Sequence, residues 1–123
     1  MKVFLILGAL NALLSIALGA FGAHGLEGKL SEHMMDIYRK AVQYHMMHSL
    51  GLILVALLTE RLSGTSLINW AGWVMLAGII IFSGSLYVLS MTGISALGAI
   101  TPIGGVAFLI SWFLIILAAV KVL

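Results

Sequence analysis

The sequence predicts an all-α fold, a four-helix transmembrane bundle with an amphipathic helical extension preceding the second span. Three observations carry that expectation. The chain is 63% hydrophobic and only 8% charged, with a mean hydropathy of +1.22, far from the mix of a soluble globular domain. Bilayer hydrocarbon is about 30 Å thick and takes roughly 20 apolar residues of helix to cross. Four stretches, residues 3–23, 41–59, 67–91 and 100–120, meet that length without a single Asp, Glu, Lys or Arg. Between them the connections are short except for residues 24–40, so residues 1–123 read as one integral membrane domain.

The first span begins after Lys2 and ends in Leu18-Gly19-Ala20-Phe21-Gly22-Ala23, small residues that also suit a signal-peptide cleavage site. Its apolar run is longer than the roughly 7 to 15 residues of a signal core, and it is read as a retained span. Cysteine is absent, which excludes disulfides and thiolate metal sites. The net charge of +2 comes from six scattered cations without a basic stripe, which argues against nucleic-acid binding.

Helices associate in lipid through close backbone approach more than through hydrophobicity, so small residues on one face mark the contacts. In the first span Gly8, Asn11, Ser15, Gly19 and Gly22 recur at intervals of three and four and share a face. Ala71, Gly78 and Ser85 repeat at seven in the third span, and Gly104, Ala107, Ser111 and Ala118 do much the same in the fourth. Asn11 is expected to make an interhelical hydrogen bond that fixes register, a contribution of about 0.6 to 2 kcal/mol in membranes.

Residues 24–40 hold three of the four acidic residues and read as partly helical. Ser31 is a good N-cap, Leu30 and Met35 stand where a hydrophobic staple would, and Glu32 favours the first turn. Met34, Ile37, Tyr38, Ala41, His45 and His48 then fall on one face, with Glu32, Asp36, Arg39, Lys40 and Gln43 largely on the other. One long helix is predicted, an amphipathic extension running unbroken into the second span. Asp36 and Lys40, four apart, support it by a few tenths of a kcal/mol.

With the amino terminus on side A of the membrane, four spans return the carboxyl terminus to that side. His24, Tyr44, His45, His48, Ser83, Tyr87 and Thr101 then gather towards side B. These seven are the candidate lining of a polar pocket for a lipid headgroup or small ligand. His45 and His48 lie one to two turns inside the hydrocarbon, where an ionisable group usually faces protein, water or a ligand. His48 is expected to face the bundle interior and bond to another span, whereas His24 and His33 lie nearer water. Thr101 before Pro102 suits a helix start, with threonine as the cap, and Gly104 and Gly105 beyond it would let an anion approach the helix amino terminus.

Four of these segments carry a resemblance: Gly19-Ala20-Phe21-Gly22-Ala23-His24-Gly25, Tyr44-His45-Met46-Met47-His48-Ser49-Leu50, Phe82-Ser83-Gly84-Ser85-Leu86-Tyr87 and Thr101-Pro102-Ile103-Gly104-Gly105. They resemble the motifs of the domain-of-unknown-function 423 family, which takes in YwdK-like bacterial proteins and the eukaryotic transmembrane protein 256. The resemblance spans nearly the whole chain. It implies a four-helix membrane protein and supplies no catalytic residues.

His45 and His48 share a helical face, and His24 could approach them from the first span. Nearby Met34, Met35, Met46 and Met47 would suit a soft copper ion. The same spacing serves hydrogen-bonded structural imidazoles, and methionine is also an adaptable packing residue. No metal or other cofactor is assigned, and the structural reading of the histidines stands first. No intramembrane carboxylate is available as a base, and no Ser or His sits in a nucleophile motif, so the protein is not expected to be an enzyme. The expected role is structural or binding, with membrane lipids and a second copy or another membrane protein as partners. The alternative is a small transporter with His45 and His48 as proton or metal relays. Lys2, Arg61 and Lys121 flank side A against Lys29, Arg39 and Lys40 on side B. The amino-terminal amine beside Lys2 then favours a cell-membrane protein with cytoplasmic termini.

Overall fold

A computed structural model describes residues 1–123. It contains no strands, and its helices form four spans, each long and apolar enough to cross a membrane. The first is α1 (Lys2–Phe21), prolonged by a wider π-helical turn at Gly22–Leu26.

The second span, α2 (Glu32–Leu58), starts where its capping chemistry directs. The Met34 amide donates to the Ser31 hydroxyl oxygen at 3.1 Å, and Leu30 packs against the cluster of Leu26, Met35 and Tyr38. Asp36 and Lys40 pair at 3.2 Å on the outer face. With its cap made, the helix runs unbroken through the extension into the hydrocarbon, about 40 Å at 1.5 Å per residue.

The third span consists of α3 (Leu67–Gly78), a π-helical turn at Ile79–Ser83 and α4 (Gly84–Thr92). It stops at Gly93, whose φ of 73° closes a left-handed cap with the Gly93 amide donating to the Leu89 carbonyl at 2.8 Å. A short 3₁₀ turn at Ser95–Ala99 then leads into α5 (Thr101–Val122).

The second span lies at the centre. It packs along α1 on one side and against α3 and α4 on another, while α3 packs along α5. Towards side A the core joins Phe4, Leu52, Val55, Ile68, Met75 and Ala118, with Phe108 and Ile79 deeper in the bundle. Trp73 meets Phe4 edge-on at 5.1 Å and shares that end of the bundle with exposed Trp70, a position tryptophan favours at a membrane interface. The outer surface is apolar and open, Leu109 being 72% and Val120 77% exposed. Such a surface suits lipid and would aggregate in water.

Two glycines of the predicted small-residue faces decide how closely the spans approach. A Cβ on Gly8 would stand 2.9 Å from the Ser49 carbonyl oxygen and 3.0 Å from the Ile53 nitrogen. One on Gly104 would collide with the backbone nitrogen of Phe82. Side chains can turn aside, but helix backbone cannot, so these two sites fix the α1–α2 and third span–α5 distances.

Candidate functional site

The polar chemistry of the bundle is organised by two buried histidines on the second span, 5% and 2% exposed for His45 and His48. His45 sits between its neighbours. Its Nε2 lies 2.9 Å from Asn11 Oδ1 on the first span and its Nδ1 lies 2.9 Å from the Tyr87 hydroxyl on the third. The Asn11 amide nitrogen donates to the Leu7 carbonyl at 2.8 Å, which leaves its oxygen facing His45. Amide oxygen only accepts, so Nε2 carries the hydrogen, and in the neutral ring Nδ1 accepts from the Tyr87 hydroxyl. As a neutral imidazole His45 is therefore the Nε2-protonated tautomer.

His48 has the opposite assignment. Its Nδ1 is 2.9 Å from the Tyr44 carbonyl, an acceptor, and its Nε2 is 3.0 Å from Trp112 Nε1 on α5. Indole only donates, so Nε2 keeps its lone pair and Nδ1 carries the hydrogen. The ring also stacks on Phe108 at 3.5 Å, 6° from parallel. Protonating His48 would break the Trp112 bond, since neither partner can reverse its role. Between them the two imidazoles connect the central span to all three others.

The remaining candidates distribute around this frame. The π-helical turn brings Ser83 onto the second span, where its hydroxyl donates to the Ala41 carbonyl at 3.0 Å. Tyr87 meets Tyr38 edge-on at 5.4 Å, and the Tyr38 hydroxyl donates to the Leu18 carbonyl of the first span. Tyr44 is half-exposed, its ring 4.8 Å from that of Phe82. His24 is exposed near the end of the first span and takes no part in the network. His45, Ser83 and Tyr87 line one shallow groove with Asn11, between the first and third spans, whereas His24, Tyr44, His48 and Thr101 lie outside it.

Thr101 corrects an expectation. It is the first helical residue of α5 and caps nothing; its hydroxyl lies 2.6 Å from that of Ser85 and 3.3 Å from the Leu97 carbonyl. The 3₁₀ turn explains this, because it feeds directly into α5 and the Ile103 amide already donates to the Ile100 carbonyl at 3.0 Å. Gly104 faces the Phe82 backbone and Gly105 its ring, so these glycines serve helix packing, and an anion finds no opening between them.

Asn11 lies deep in the first span. Nine residues from Lys2, it lies about 13 Å into the span, and His45 lies about 20 Å from the side-A end of α2. The polar centre is therefore near mid-membrane, deeper than a headgroup reaches. No three of the His, Asp and Glu side chains are grouped as a metal site. The neutral lone pairs of both buried rings are already engaged by Tyr87 and Trp112.

A second cavity, of about 230 Å³, opens at side B, between the end of the first span and the helical extension. Gly19, Gly22, Met35 and Val42 form its apolar part, and Glu27 and Arg39 stand at the rim. Gly22 is 20 residues from Lys2 and Tyr38 is 20 from Leu58, which places this cleft about 30 Å along the helices from their side-A ends. The sequence reading overlooked it because Glu27 and Arg39 look like ordinary solvated charges until the extension folds against the first span. Trp112 was overlooked too, although a tryptophan in mid-span needs an acceptor for its indole N–H and so signals a polar partner.

The family model described as a protein of unknown function (DUF423) matches residues 18–105. The chain is 63% identical to the UPF0382 membrane protein YwdK of Bacillus subtilis, with 100% of both chains covered. It is 56% identical to a UPF0382 membrane protein of Staphylococcus epidermidis, with 98% of each chain covered, and 50% identical to one of Staphylococcus saprophyticus, covering 99% of this chain and 100% of that one. No solved structure matches.

Proposed function

We propose that this chain, which belongs to the DUF423 family, is a lipid-binding membrane protein whose headgroup site is the side-B cleft between the first span and the extension of the second. One observation carries the reading. Arg39 makes no ion pair or side-chain hydrogen bond within the protein and stands over an apolar floor at the depth of lipid phosphates. A guanidinium offers five donors in a planar fork that matches phosphate oxygens, and the glycine floor leaves room for the glycerol end of a lipid. Lipid would be the partner here, and the apolar outer faces leave room for a second copy or another membrane protein beside it.

Binding is favoured over catalysis because the apolar stretches 3–23, 41–59, 67–91 and 100–120 carry no carboxylate, and a serine nucleophile served by His45 would need the lone pair that Tyr87 occupies. It is favoured over proton or metal relay because His48 would first have to release Trp112. The reading keeps both termini cytoplasmic, so the cleft belongs to the outer leaflet.

Ala23 lines the cleft and is exposed, so a large side chain there fills the site without disturbing the core. Ala23→Trp is expected to reduce phospholipid retained through purification at least about five-fold, read by native mass spectrometry, with unchanged helicity. A five-fold loss is about 1 kcal/mol of binding free energy, within reach of one blocked contact surface. Equal retention by Ala23→Trp and wild type would remove the cleft as a lipid site.

A further inference from the structure

We infer that the side-B cleft selects a zwitterionic phospholipid bearing a primary amine, with the phosphate against Arg39 and the ammonium against Glu27, an inference that rests on the lipid-site reading above. Glu27 and Arg39 line the same cleft with opposite charges, yet they do not pair with each other: the one ion pair in the protein joins Asp36 to Lys40. They stand on separate backbone segments. Glu27 follows the π-helical turn in an extended conformation, φ −59° and ψ 128°, while Arg39 is fixed two turns into α2.

A cleft with one unpaired charge of each sign is complementary to a ligand dipole. In phosphoethanolamine the phosphate and the ammonium are two methylenes and one ester oxygen apart, so a single headgroup can address two charges that do not pair with one another. A lipid with an anionic headgroup and no amine satisfies Arg39 alone and brings its phosphate towards the Glu27 carboxylate. A quaternary ammonium cancels charge but donates no N–H to that carboxylate, whereas a primary ammonium donates three. Selectivity therefore depends on Glu27, and affinity for any phospholipid depends on Arg39. Lys29, Glu32, Asp36 and Lys40, the nearby charges in sequence, do not line the cleft.

The experiment titrates detergent-purified full-length protein with dioleoyl phosphatidylethanolamine, phosphatidylglycerol and phosphatidylcholine, each read by native mass spectrometry. Wild type is expected to bind phosphatidylethanolamine about five-fold more tightly than phosphatidylglycerol, the upper range for one exposed ion pair. Glu27→Gln should erase that preference while retaining phosphatidylglycerol, and Arg39→Gln should weaken both. Both side chains are exposed, so neither variant threatens the fold. Equal or tighter phosphatidylglycerol binding by wild type, or a preference that survives Glu27→Gln, overturns the selectivity. Soluble phosphoethanolamine in millimolar excess should not displace the lipid; displacement would assign the site to a free headgroup compound and overturn the inference as stated. If Ala23→Trp leaves every titration unchanged, the lipid-site reading itself falls, an outcome distinct from lost selectivity.

Discussion

Replacing His48 by alanine is expected to destabilise the protein by about 3 kcal/mol, the largest loss at any of its histidines. The substitution removes a 2% exposed ring that stacks on Phe108 and accepts from Trp112, and it leaves a void where α2 meets α5. Large-to-small changes in a packed core cost about 2 to 5 kcal/mol, and stranding a buried donor such as the Trp112 N–H adds about 1 to 3 where it cannot reorient. Partial collapse of the neighbours and solvation of the indole offset part of that sum. Trp112→Phe, which keeps the packing and removes the donor, should cost about 1 kcal/mol. His24→Ala, exposed and unbonded, should stay within about 0.5 kcal/mol of wild type. Equilibrium unfolding of purified variants in mixed micelles ranks them, and a His48→Ala variant as stable as wild type would refute the structural role of this histidine.

Gly104→Val is expected to have a comparable or greater effect, at about 3 kcal/mol or more, because its Cβ would meet Phe82 backbone that cannot turn aside. Gly105 and Gly84 provide the comparison. A Cβ at Gly105 meets only the Phe82 ring at 3.8 Å, and one at Gly84 meets nothing within 4 Å. Gly84→Ala should therefore be neutral or stabilising by up to about 1 kcal/mol, since alanine is the better helix former. The same unfolding assay reads the contrast. Tolerance of valine at 104 would mean that α5 and the third span are not held at this distance.

The four spans and the capped extension were legible because their signals are local. Hydrocarbon length, the absence of charge and the Ser31 cap each act within one helix. The inward face of the second span was legible for the same reason, since three- and four-residue spacing fixes which side chains share a face. The partners on other spans were not. Which hydroxyl meets which imidazole depends on how far each helix is displaced along its neighbour, and that depends on contacts such as Gly8 against Ser49 and Gly104 against Phe82. Residue counting gathers His45 towards side B with the other candidates, yet its bond is to Asn11, well inside the first span. Thr101 read as a cap because the Thr-Pro pair is a start signal; the 3₁₀ turn ahead of it had already occupied that position. The cleft was least visible, as it arises only where the extension and the end of the first span come together.

As neutral rings, His45 and His48 are doubly hydrogen-bonded ties from the second span to the other three, with opposite tautomers set by Asn11 and Trp112. Nitrogen-15 NMR of histidine-labelled protein in bilayers at neutral pH tests it directly, with His45→Gln and His48→Gln variants assigning the signals. The expected spectrum shows one imidazole protonated only on Nε2, lost with His45, and one protonated only on Nδ1, lost with His48. A charged imidazolium at either position, or the same tautomer at both, would contradict it.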